Sequence, residues 1–131
     1  MLVVDASAVV DFLLASPAAQ AVEQELDRAE SLHAPHLIDL EIASALRRVV
    51  AERRIQAARG LDALRDLAQL SLTRYPAGPL LERIWQLRHT LTTYDAAYVA
   101  LAELLEVPLL TTDERLARSH GHHAEIIVPL R

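Results

Sequence analysis

Apolar residues along this chain fall into two patterns: short unbroken blocks, and longer stretches where they recur every three or four positions. The unbroken blocks, "LVV" at Leu2–Val4, "SLHAP", "SLTRYP", "PLLTT" and "EIIVP", read as buried strands. Between them lie stretches of helical spacing. Ser7 offers an N-cap to a short helix over Ala8–Leu14, and Pro17 suits the first turn of "PAAQAVEQELDRAE". Pro35 ends the second strand, and "HLIDLEIASALRRVVAERR" follows as an amphipathic helix. Its expected buried positions are Leu37, Leu40, Ala43 or Ser44, and Ala45 or Leu46. "IQAARGLDALRDLAQL" continues as a helix with Gly60 as its weak point, and the Ala77-Gly78-Pro79 break leads into "LLERIWQLRH". "YDAAYVALAELLE" is the clearest helix, stopped by Pro108, and "DERLARS" is a short one. Strands alternating with helices predict an α/β domain: a parallel sheet with helices on both faces. At 131 residues, without linker, repeat or low-complexity segment, residues 1–131 are expected to form one domain.

Composition narrows the chemistry. Hydrophobic residues make up 52% and charged residues 24%, with no apolar run long enough to cross a bilayer and no basic region ahead of the first apolar block. A soluble, cytoplasmic protein without a signal peptide is expected. The absence of cysteine excludes disulfides and thiolate metal sites. All 13 basic residues are arginine, so mechanisms that need lysine are excluded: Walker-type phosphate loops, Schiff-base enzymes and phospho-receivers. A net charge of −5 argues against the whole surface gripping a polyanion, while leaving room for a local basic rim.

Two of the strand blocks run directly toward an acid: "LVVD" ends on Asp5, and "PLLTTD" leads to Asp113. A parallel sheet places its sites at the carboxyl ends of its strands, where both would lie. Glu41, flanked by Leu40 and Ile42, and Asp95, at the start of the clearest helix, can reach the same rim. Each acid also has a plainer reading. Asp5 and Asp113 could cap the helices that follow them, Glu41 could be a solvated helix position, and Asp95 a charge favoured by the helix dipole. Carboxylates gathered in one place repel one another, and a divalent cation removes that penalty. Oxygen-only donors suit Mg²⁺ or Mn²⁺, with which a water can be activated for phosphodiester hydrolysis.

The residues "VVDAS", "APHLIDLEIASALRR" and "LTTYDAAYVALAELLEVPLLTTDERL", in this order and at this length, resemble a PIN domain, and more closely the VapC-type ribonuclease toxins of bacterial toxin–antitoxin pairs. The resemblance covers essentially the whole chain. It implies an α/β/α sandwich around a short central parallel sheet and an acidic pocket binding Mg²⁺ or Mn²⁺. Asp5, Glu41, Asp95 and Asp113 fall on the family's acidic positions, and Ser7 and Thr111 on the hydroxyl positions beside them. The implied activity is metal-dependent endoribonuclease cleavage, leaving 5′-phosphate and 3′-hydroxyl ends. The implied partners are RNA, a VapB-type antitoxin and a second copy of the chain, with no membrane.

Other features are weighed against this reading. Arg47, Arg48, Arg53, Arg54, Arg115 and Arg118 follow the acids closely and could contact RNA phosphates. The plainer expectation is solvated arginines paired with Glu52, Glu114 or Asp62. "SHGHHAE" is expected to be a surface loop rather than a metal site, and Trp85 and Tyr98 are expected in the core or at a dimer interface. A phosphatase with a nucleophilic Asp5 fails twice, for want of a second Asp at Ser7 and of any lysine. A structure-specific DNA nuclease leaves too little length for its insertions. A PIN-like module that binds a partner or RNA without cutting remains the alternative.

Overall fold

Five short strands, β1 (Leu2–Val4), β2 (Leu32–Pro35), β3 (Leu72–Tyr75), β4 (Leu109–Leu110) and β5 (Ile126–Ile127), form one sheet in the order β3-β2-β1-β4-β5. The computed structural model describes residues 1–130. Every neighbouring pair is parallel, with Leu2 opposite Leu32 and Val3 opposite Leu109. Among the described residues, seven helices connect and cover the sheet: α1 (Ala6–Leu13), α2 (Ala19–Arg28), α3 (Leu37–Ala51), α4 (Ala57–Gln69), α5 (Leu81–Gln86), α6 (Thr93–Leu105) and α7 (Glu114–Ala117). A 3₁₀ turn at Gly78–Leu80 precedes α5.

The central strands carry unbroken apolar runs because helices cover both faces. Val3, Val4, Leu109 and Leu110 are fully buried. Helix α6 lies along β1, β2 and β4 with α5 on its other side. Each residue from Ala96 to Ala102 is therefore buried, and the alanines among them let the backbone approach closely. The helix ends before Pro108 is reached. Glu106 turns into the left-handed region at φ 57°, and its N–H bonds back to the last turn.

Helix α3 departs from the expected stripe. Its buried row is Ile38, Ile42 and Leu46, whereas Leu40 is 77% exposed. Both rows recur at helical i, i+3 or i+4 spacing and share Leu46, and the isoleucine row turns toward α1 and β2. Burying three such side chains contributes roughly 1.5–3 kcal/mol each, which settles the rotation of the helix. Trp85 is 67% exposed with the Arg88 guanidinium 4.5 Å from its ring centre, so of its two expected places, core or dimer interface, the core is excluded. Tyr98 is in the core, as expected, at 2% exposure. Among the described residues, no helix is long and apolar enough to cross a membrane.

Candidate active site

The strand order changes direction at β1. The chain leaves β1 for β2 and β3 on one side, then returns to place β4 on the other. A parallel sheet opens a crevice at such a point, beyond the carboxyl ends of the two strands. Asp5 follows β1 directly and its N–H donates to the Leu110 carbonyl at 3.1 Å, so it continues the ladder into the crevice. Asp113 reaches the same rim three residues after β4.

Hydroxyl groups tie these strand ends together. Asp5 Oδ1 accepts from Ser7 Oγ at 2.7 Å and from the Ala8 N–H at 3.0 Å, and Oδ2 accepts from Thr111 Oγ1 at 2.5 Å. The Thr111 hydroxyl oxygen accepts the Asp113 N–H at 3.0 Å, and Ser7 Oγ accepts the Thr112 N–H at 3.2 Å. Asp5, not Ser7, is thus the N-cap of α1, and Asp113 caps α7 by accepting from the Arg115 N–H at 2.9 Å. Asp95 lies in the first turn of α6, whose N-cap is Thr92, with 3.4 Å from the Asp95 N–H to the Thr92 hydroxyl. Glu41 comes from α3, and the Tyr98 hydroxyl donates to its Oε1 at 2.6 Å.

All four acids line one pocket of about 510 Å³, together with Ser7, Tyr94, Tyr98, Arg48, Arg54 and Arg115. Thr111 is fully buried behind Asp5 rather than on the pocket wall. Burial pushes the Asp5 carboxyl up to about 6, against its three hydrogen bonds and with help from the nearby charge of Asp113. Burial also raises Glu41, opposed by the Tyr98 hydrogen bond and reinforced by Asp95. It raises Asp95 too, opposed by Thr92 and Arg115 and reinforced by Asp113. The walls hold more negative charge than they neutralise.

This donor set fits a hard divalent cation: it is all oxygen, acidic and partly buried. Among the described residues, no three His, Cys, Asp or Glu side chains close around a single point. Asp5, Glu41, Asp95 and Asp113 instead face a shared space from separate elements.

The remaining sequence candidates resolve elsewhere. His122 is engaged by Ser119 Oγ at 2.8 Å and by the Ala124 N–H at 3.2 Å, so its ring nitrogens serve a loop. The exposed arginines pair as Arg54–Glu52 in the turn after α3, and as Arg118–Glu114 and Arg65–Asp62 at α7 and α4, all at 3.7–3.9 Å, which fits solvated surface positions. Arg48 and Arg54 nevertheless reach the pocket wall. Sequence reasoning missed the Tyr98–Glu41 bond, although Tyr98 follows Asp95 by three positions, a spacing that places both on one side of a helix.

The PIN domain family model matches residues 2–120. The chain belongs to the PIN domain family. It is 48% identical over 126 residues to Ribonuclease VapC12 of Mycobacterium tuberculosis, covering 96% of this chain and 97% of that protein. The structure of PAE2754 from Pyrobaculum aerophilum superposes with a TM-score of 0.71 at 27% identity, covering 95% of this chain and 82% of that one. A toxin–antitoxin complex from Klebsiella pneumoniae shares the fold at a TM-score of 0.70 and 16% identity, over 100% of this chain and 99% of that one. The expected PIN-like α/β/α architecture is borne out.

Proposed function

We propose that this PIN domain is a VapC-type endoribonuclease toxin that hydrolyses RNA phosphodiester bonds and is neutralised by a VapB-type antitoxin. The observation that carries the reading is the convergence of Asp5, Glu41, Asp95 and Asp113 on one pocket at the switch point of the sheet. The near-full-length likeness to a VapC ribonuclease supports it. Asp5, Asp95, Asp113 and Glu41 would hold Mg²⁺ or Mn²⁺. The cation supplies charge that stabilises the phosphorane-like transition state and lowers the pKa of water. Ser7 and Thr111 fix the rotamer of Asp5 through its two oxygens. Arg48 and Arg54 offer cationic groups at the pocket edge, suited to the phosphates flanking the cleaved one. The homodimer implied by the family would bury exposed apolar side chains such as Leu40 on α3 and Leu61 and Leu64 on α4, which sedimentation of the purified chain reads.

The test is incubation of the purified chain with total cellular RNA in Mg²⁺, Mn²⁺ or EDTA, beside Asp95→Asn. Discrete metal-dependent fragments, reduced roughly 100-fold or more in the variant, are expected, since the cation's charge is worth several kcal/mol to the transition state. Equal cleavage by the variant, or none by the antitoxin-free chain, would refute the assignment. Binding of RNA without cleavage would favour the non-catalytic module.

A further inference from the structure

We infer that Tyr98 is the positioning residue for the Glu41 carboxylate and acts on the pocket through it. The inference rests on the reading of Glu41 as one of the cation-holding groups. The other three acids are fixed by helix beginnings: Asp5 caps α1, Asp113 caps α7, and Asp95 sits in the first turn of α6. Glu41 has no such anchor. It is the fifth residue of α3, past the free N–H groups of the first turn, on a side chain with three rotatable bonds. Burial and the charge of Asp95 both act against its ionised form.

The Tyr98 hydroxyl supplies what the helix does not, a donor 2.6 Å from Oε1. Tyr98 is 2% exposed, within the run of buried α6 residues. The core therefore fixes where the donor stands, and the carboxylate of a half-buried side chain is held by a fully buried one. Asp95 and Tyr98 share α6, so one rigid element places one acid of the pocket directly and a second, Glu41 from α3, at one remove. Such partners, which do not touch a metal but orient its ligands, commonly control affinity by roughly 10–100-fold.

The experiment titrates Mn²⁺ alone, without RNA, into the wild-type chain, Tyr98→Phe, Glu41→Gln and the double variant. Phenylalanine keeps the ring and its packing, and water can reach the half-exposed Glu41 in its place. Circular dichroism and melting in EDTA verify the fold of each. Tyr98→Phe is expected to weaken Mn²⁺ binding roughly tenfold. In the Glu41→Gln background the same change should alter affinity less than about twofold, because its effect runs through the carboxylate. Unchanged Mn²⁺ affinity in Tyr98→Phe, or an equal loss in both backgrounds, would overturn the inference. RNA cleavage is read in parallel, with kcat expected to fall and KM to hold. A wild-type chain that binds Mn²⁺ but cuts no RNA would sink the functional reading while the cycle still decides the role of Tyr98.

Discussion

Replacing Asp5 with asparagine should make the metal-free protein more stable while removing its activity. Asp5 is 5% exposed, and its carboxyl is pushed from 3.8 up to about 6. At roughly 1.36 kcal/mol per pH unit, keeping this group ionised costs the folded state about 3 kcal/mol at pH 7. The sign follows from linkage. A carboxyl whose folded pKa is raised contributes its stability fully below the unfolded value near 3.8, and loses it as pH rises through about 6. Asparagine is neutral throughout and escapes that loss. Its carbonyl can still accept from Ser7 and Ala8, but its amide faces Thr111, whose hydroxyl must turn toward Ser7 Oγ, 3.3 Å away. That rearrangement forfeits about 1 kcal/mol, leaving a gain of about 2 kcal/mol at pH 7. In urea unfolding with EDTA, a slope of about 2 kcal/mol/M turns this into a midpoint shift of about 1 M. The gap should shrink steadily from pH 7 to pH 4. A variant less stable at pH 7, or a gap independent of pH, would refute the reasoning. Adding Mn²⁺ should then stabilise the wild-type chain more than the variant.

Glu103 accepts from Arg83 Nε at 2.8 Å, Arg83 Nη2 at 3.0 Å and the His123 N–H at 2.8 Å, so Glu103→Gln should cost about 1–3 kcal/mol in urea melts at pH 7. The Arg83 bond lowers the Glu103 pKa, so that difference must fade as pH falls through the depressed value, and a constant difference would count against it. His33, held between Ser31 and Tyr75 at 2.7 Å on each ring nitrogen, has its pKa lowered by burial. Its contribution is present above 6.5 and lost below, and NMR titration of its ring at or above 6.5 would contradict this. Glu106 holds φ 57°, so Glu106→Gly should raise stability by about 0.5–1 kcal/mol, read as a higher melting temperature.

The sheet and the gathering of the acids at its rim were legible because both are written locally. An apolar block running into Asp5, and another leading to Asp113, report strand, strand end and acid in one stretch of sequence. The buried run of α6 is equally explicit, since a helix apolar on every side must lie inside. Legibility stopped where two local patterns were equivalent. In α3 the rows through Leu40 and through Ile42 both fit a helical period, and only the neighbours of the folded helix decide between them. For Trp85 the sequence left core and dimer interface open for a related reason: a large apolar residue at helical spacing says nothing of whether the fold has a face left to cover it. The Tyr98–Glu41 bond joins residues 57 positions apart, a separation over which spacing carries no information.

The plain readings of Asp5, Asp113 and Asp95 hold alongside the proposed role of the pocket, and the two together explain how the pocket is tolerated. Asp5 and Asp113 cap helices, and Asp95 occupies a first turn, so each sits against the positive end of a helix dipole. Each such placement offsets part of the repulsion that a cluster of carboxylates generates, typically by 0.3–1 kcal/mol at exposed positions and up to about 2 kcal/mol where partly buried. The offset is incomplete, because Asp5 and Asp95 remain raised in the folded chain. That remainder is available to a cation. A fold that neutralised its acids fully would gain stability and lose the reason for metal to enter, whereas one without caps would scatter them. Three helix starts aimed at one strand switch point meet both demands, and the acid that no helix start reaches is the one that required a tyrosine.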